Sequence, residues 1–123
     1  MAADEVYERT RRHRDKNLAG HMLRVARLRD ADTDLDIPWI EKHIAKGFCA
    51  VSGIPFQVKT AGENQVNPWQ PSIDRLNQER GYTKRNCRMV CLIYNLARNQ
   101  FRDADVMTLA DALVSRRDEK IKK

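Results

Sequence analysis

Long apolar runs are missing from this chain, and so are paired cysteine spacings, abundant aromatics and enough acid to balance its base. No stretch reaches the ~20 apolar residues that a membrane-spanning helix needs, and no leader with a cleavage site opens the sequence, so a cytoplasmic protein with no membrane partner is expected. Cysteine occurs at 49, 87 and 91 only. An odd count without a framework excludes a disulfide scaffold and points to a reducing compartment. The aromatics stop at two Trp, three Tyr and three Phe. Trp69, Tyr82 and Tyr94 are the obvious candidates for stacking on bases, and each suits a core equally well.

The shortage of acid is the informative one. Lys and Arg number 23 against 17 Asp and Glu, for a net charge of +6 and a pI near 9.5 over 123 residues. The excess is clustered. Residues 9–29 hold eight basic side chains against Asp15, and residues 75–102 hold seven against Glu79. Arginine dominates both clusters, and its planar fork matches phosphate better than a lysine point charge does. A DNA partner, duplex or branched, is the expectation, with Arg9, Arg11, Arg12, Arg14, Arg80, Lys84, Arg85, Arg88 and Arg98 as candidate contacts. The bland alternative is a solvated basic face.

The length suits a single core, and the pattern divides it into a basic helical arm, 1–30, and a second unit, 31–123, closed by a helix. Leu18, Met22, Val25 and Ala26 recur at helical spacing, and Gly20 is placed to bend that helix. The run Asp30-Ala31-Asp32-Thr33-Asp34-Leu35-Asp36 lacks the glycine and terminal glutamate of an EF-hand loop, so it reads as a linker. Asp36 with Pro38 predicts a helix start, followed by Ile37, Ile40 and Ile44 on one face, Trp39 and His43 side by side, and Gly47 as the stop. Residues 48–56 predict a strand–turn–strand around Ser52-Gly53, and 57–67 a polar loop. Helix is expected to continue from Asn95 through Phe101, and a last helix from Asp103 presents Val106, Leu109, Ala110 and Leu113 as a core face, fraying after 115.

Between these lie two short apolar runs joined by a polar loop. The first ends in Asp74, and the second, Met89 to Ile93, delivers Asn95. A carboxylate and a carboxamide at the ends of a hairpin offer oxygen ligands of the kind Mg²⁺ takes while keeping several waters. A structural zinc site is not expected. Cys49 and Cys91 each begin a Cys-x-x-Cys spacing whose second position is Ser52 or Tyr94, and two thiolates do not close a tetrahedral site.

Three ordered motifs, Cys49-Ala50-Val51-Ser52-Gly53-Ile54-Pro55-Phe56, Pro71-Ser72-Ile73-Asp74-Arg75-Leu76 and Gly81-Tyr82-Thr83-Lys84-Arg85-Asn86-Cys87-Arg88-Met89-Val90, followed by Asn95, resemble the HNH, or ββα-metal, endonuclease superfamily in its phage-type branch. The resemblance covers about residues 37–113. It implies an α+β fold with a ββα-metal core among extra helices, in a phage or mobile-element protein acting in a bacterial host cell. By position it implies Asp74 and Asn95 as ligands of Mg²⁺ or Mn²⁺, Asn86 as the asparagine that ties the loop, and Asp74, Arg75, Asn86 and Asn95 together as the catalytic positions. The activity implied is metal-dependent DNA cleavage or nicking, the metal acting as a Lewis acid. One position departs from the superfamily. Its general base is a histidine after the strand-end acid, and Arg75 has no acceptor lone pair with which to take a proton. The Asp-Arg variant recurs in the phage-type branch, where Arg75 is suited to binding phosphate, and water activation falls to metal-bound hydroxide, His43 or a substrate phosphate. The alternative is a catalytically silent DNA-binding accessory on the same scaffold, and an RNA-directed nuclease ranks last.

Overall fold

The computed structural model describes residues 18–58 and 66–122 of the chain. Arg9, Arg11, Arg12 and Arg14, and most of the polar loop expected at 57–67, lie outside them. The described elements are helices α1 (Leu18–Arg29) and α2 (Ile37–Ala45), strands β1 (Pro71–Arg75) and β2 (Cys87–Cys91), and helices α3 (Leu92–Arg98) and α4 (Asp103–Lys122). It is a mixed α+β arrangement around one antiparallel two-stranded sheet, with Pro71 opposite Cys91 and Asp74 opposite Arg88.

β2 is buried along most of its length because its side chains feed two cores. Cys87 and Met89 join Ala19, Leu23, Ala26, Leu35, Ile40 and Tyr82 on one side, while Val90 packs with Cys49 and Cys91 on the other, under Phe56, Trp69 and Tyr94. Ile40 and Val90 have no exposed surface, each worth about 1.5–3 kcal/mol of burial. α1 therefore packs into the same core as the hairpin. Its buried seam is Ala19, Leu23 and Ala26, one position round from the expected stripe, and Gly20 sits inside the helix without breaking it.

α2 starts as the sequence requires. The Asp36 carboxylate accepts the Trp39 N–H at 2.9 Å, with Pro38 in the first turn where its missing N–H costs nothing. His43 stacks on Trp39, ring centroids 4.0 Å apart, and its Nδ1 lies 2.8 Å from Trp39 O. Ile37 is exposed. The acidic run before α2 is more than a linker. Asp30 accepts the Tyr82 N–H, Asp34 accepts the Lys84 N–H, Asp36 pairs with Lys84 Nζ at 2.9 Å, and Thr33 Oγ1 donates to Tyr82 O. These acids clamp the hairpin loop. Gly81 is fixed by the same clamp, since a Cβ there would sit 2.2 Å from Asp30 Oδ2.

Four expectations fail. Residues 48–56 make one isolated bridge, Phe48 to Pro55, closed by Cys49 N–H to Ile54 O and Phe56 N–H to Gly47 O, while Ala50 donates to Met89 O and docks the turn on β2. Helix begins at Leu92, so Asn95 lies in its middle. It ends at Arg98, where Asn99 turns to φ 46°, and Phe101 is exposed. α4 runs unbroken to Lys122, with Leu109, Leu113 and Val114 exposed and only Val106 half-buried on the expected face, because nothing among the described residues packs along it.

Candidate functional site

The register of the hairpin decides the surroundings of Asp74. Arg88 lies across the ladder from it, and Arg98, on the last turn of α3, reaches the same carboxylate from the side. Arg88 Nε donates to Oδ2 at 2.9 Å and Arg98 Nη1 to Oδ1 at 2.8 Å. The Asp74 side chain has no exposed surface. Arg98 also donates to the carbonyls of Arg75 and Leu76, both at 2.7 Å, closing the end of β1. Asp103, the first residue of α4, accepts Arg88 Nη2 at 2.7 Å and the Tyr94 hydroxyl, and its Oδ1 lies 3.2 Å from Arg98 Nε. Two carboxylates and two guanidiniums thus neutralise one another beneath the sheet.

Titration follows this packing. Hydrogen bonding from Arg88 holds the Asp103 carboxyl below its ordinary value, against some desolvation. Burial works against the Arg88 charge, but the bonds to Asp103 and Asp74 outweigh it and raise its pKa. Tyr94 is pushed up to about 12 by burial and by the Asp103 carboxylate it donates to.

As arranged, Asp74 is engaged by two arginines and is not open to a divalent ion. Both Asp74 oxygens already accept charge-assisted bonds in a closed setting, and the Asn95 carboxamide donates from Nδ2 to Ser72 Oγ at 2.8 Å and to Ile73 O at 3.1 Å. Among the described residues no group of three or more His, Cys, Asp and Glu side chains is placed to hold a metal. The Asp74 and Asn95 side chains make no hydrogen bond to each other, although Asn95 reaches the neighbouring Ile73 carbonyl. Asn95 instead lines an open cleft of about 330 Å³ with Ser72, Gln78, Arg75, Tyr82 and Arg29, and Asp74 does not. His43, engaged with Trp39, is no part of that cleft.

Asn86 is buried and ties the loop. It accepts the Asn77 N–H at 2.9 Å and donates to the carbonyls of Asn77 and Gly81 at 3.0 and 2.9 Å. Arg75 turns to the face away from Asp74, stacks on the Tyr82 ring 4.9 Å from its centroid, and donates to Gln78 O, Arg80 O and Gln78 Oε1.

No family model, curated protein or solved structure matches this chain. The functional argument therefore rests on the side chains.

Two of the expected DNA contacts, Arg88 and Arg98, are committed to Asp74 and Asp103, and Arg98 is buried. In this structure both serve as cations within the fold. A guanidinium whose charge is matched in the interior offers little to a phosphate. Arg80 and Arg85 are exposed, and Lys84 is exposed but paired with Asp36. The second core packs Cys49 and Cys91 together, with Cys49 Sγ accepting the Ser52 N–H at 3.5 Å and Cys91 Sγ lying 4.0 Å from Ile54 O. Burial pushes the Cys49 thiol up, and bonds from the Ser52 side chain and from the Ser52, Cys91 and Val51 backbones more than offset it, so its pKa is lowered. Among the described residues no helix is long and apolar enough to cross a membrane. Sequence reasoning took Tyr82 as a stacking or core aromatic and Arg29 as one member of a basic cluster, and missed that the two are paired. The one available signal was the tyrosine following Gly81 in the loop motif, which carries no hint of the helix that packs against it.

Proposed function

We propose that this chain is a nucleic-acid-binding module of HNH-like architecture, in which the residues at the catalytic positions hold the hairpin to its helix. The observation that carries this is the saturation of the Asp74 carboxylate by Arg88 and Arg98 in a fully buried position. A carboxylate held in this way must give up a guanidinium before it can serve a metal. Arg75 supplies no base. The chain keeps the strand–loop–strand–helix order that the motif resemblance implies, and it keeps exposed arginines at 24, 27, 29, 80 and 85. Such cations bind the phosphate backbone with little regard to sequence, and their affinity falls steeply with salt.

One observation favours a second reading, a divalent-metal-dependent DNA endonuclease or nickase: Arg75, Ser72 and Asn95 share one open cleft. That reading requires Asp74 to leave both guanidiniums. The two separate in a single assay. Purified protein is incubated with supercoiled, branched and single-stranded DNA, with Mg²⁺ or Mn²⁺, beside Asp74→Ala. Salt-sensitive binding without nicking is the expected result. Metal-dependent nicking that disappears in Asp74→Ala overturns it and establishes the enzyme.

A further inference from the structure

The cleft beside the hairpin holds an uncompensated pair of charges. Arg29 ends α1 and Arg75 ends β1, and both guanidiniums meet at Tyr82. Arg29 Nη1 donates to the Tyr82 hydroxyl at 3.1 Å, while Arg75 lies over the ring, 4.9 Å from its centroid. Arg75 gives its remaining bonds to neutral acceptors, two backbone carbonyls and the Gln78 carboxamide. Among the described residues no carboxylate pairs with either arginine. The nearby acid, Asp30, spends Oδ2 on the Tyr82 N–H and Oδ1 on the Asp32 N–H. Arg88 and Arg98 make the contrast, since they share two carboxylates.

Two cations held against one phenol repel each other, and among the described residues no carboxylate forms an ion pair with either. The cleft supplies space. Its about 330 Å³ is walled by Ser72, Gln78, Asn95 and Asn99 as well as by the two arginines and Tyr82. Ser72 Oγ accepts from Asn95, which leaves the hydroxyl hydrogen free to donate. Fixed guanidinium forks with neutral donors beside them match the tetrahedral oxygens of a phosphate.

We infer that this cleft is a metal-independent phosphate site, in which Arg29 and Arg75, splinted by Tyr82, grip one backbone phosphate of a nucleic acid. The inference rests on the nucleic-acid reading above and names the side chains that would carry it. Tyr82 fixes both guanidiniums before the ligand arrives, so little side-chain freedom is lost on binding.

The test uses the full chain in metal-free buffer containing EDTA. Inorganic phosphate is titrated while the Nε–H resonances of the arginines are followed by NMR, and labelled duplex and single-stranded oligonucleotides are titrated by fluorescence anisotropy at several salt concentrations. Saturable shifts at Arg29 and Arg75, with Arg80 and Arg85 unmoved, are expected. Arg29→Gln, at an exposed position, and Tyr82→Phe, which keeps the ring under Arg75, are each expected to weaken oligonucleotide binding several-fold irrespective of sequence. Arg29→Gln also lowers the salt slope by about 1. Phosphate binding without oligonucleotide binding supports the cleft with free phosphate as its ligand and sinks only the nucleic-acid reading. Oligonucleotide binding that neither variant alters, with no phosphate-dependent shift at Arg75, overturns the cleft and leaves the nucleic-acid reading standing.

Discussion

Replacing Asp74 by Asn separates a structural carboxylate from a metal ligand by the sign of its effect on stability. The substitution keeps the shape and removes the charge on which Arg88 and Arg98 converge at 2.9 and 2.8 Å. Breaking a buried ion pair by removing one partner costs about 3–5 kcal/mol, because the other charge is left without compensation. Asp103 remains beside both guanidiniums, so the lower end applies, about 3 kcal/mol. Against a total stability of about 5–15 kcal/mol this is a large fraction, readily seen as a fall in the urea midpoint at unchanged slope. The measurement is made in EDTA. A carboxylate kept for a metal gains nothing from its charge there, and Asn at such a position is neutral or stabilising. Adding Arg98→Met closes a double-mutant cycle, with an expected coupling of about 2 kcal/mol between positions 74 and 98. A loss under about 0.5 kcal/mol for Asp74→Asn, within the range of ordinary surface changes, refutes the ion-pair account.

Two further outcomes follow from the packing. Burial raises Cys87 from 9.0 to about 12 and Cys91 from 9.0 to about 11, and burial with the Asp103 hydrogen bond raises Tyr94 from 10.0 to about 12. The unfolded chain therefore sheds these protons before the native chain does, and stability falls as pH rises from about 9 through 12; a urea midpoint that stays level between pH 8 and 11 contradicts this. Leu113→Ala on α4 is expected to change stability by less than about 0.5 kcal/mol, because the side chain is already exposed, whereas a loss of about 2–5 kcal/mol would mean that the face is covered.

What the sequence could disclose was set by distance along the chain. The Asp36 cap, the Pro38 start and the Trp39–His43 stack depend on neighbours within one turn, and each was legible. The hairpin was legible too, since two apolar runs flank a loop closed by Gly81. Asp74 was recognised as important, but its partners were not, because only the register places Arg88 opposite it and only the docking of α3 brings Arg98. The arginine-rich stretch at 75–102 consequently read as one basic surface, although two of its members are interior. The acids at 30–36 read as a linker for the same reason: their acceptors' partners lie in the loop at 82–84. For α4, spacing identified an apolar stripe, but spacing carries no information about what packs on it.

The way α4 is fastened has mechanical meaning. Its first side chain, Asp103, is bonded to Arg88 and Tyr94, while its length stands clear of the described body. Twenty residues make a rod of about 30 Å, pivoted at one end on a carboxylate. A tilt of about 10° at that pivot carries the far end some ~5 Å. The charge cluster beneath the sheet is thus also the anchorage of that rod, and whatever angle Asp103 sets there is magnified at the tip of the helix.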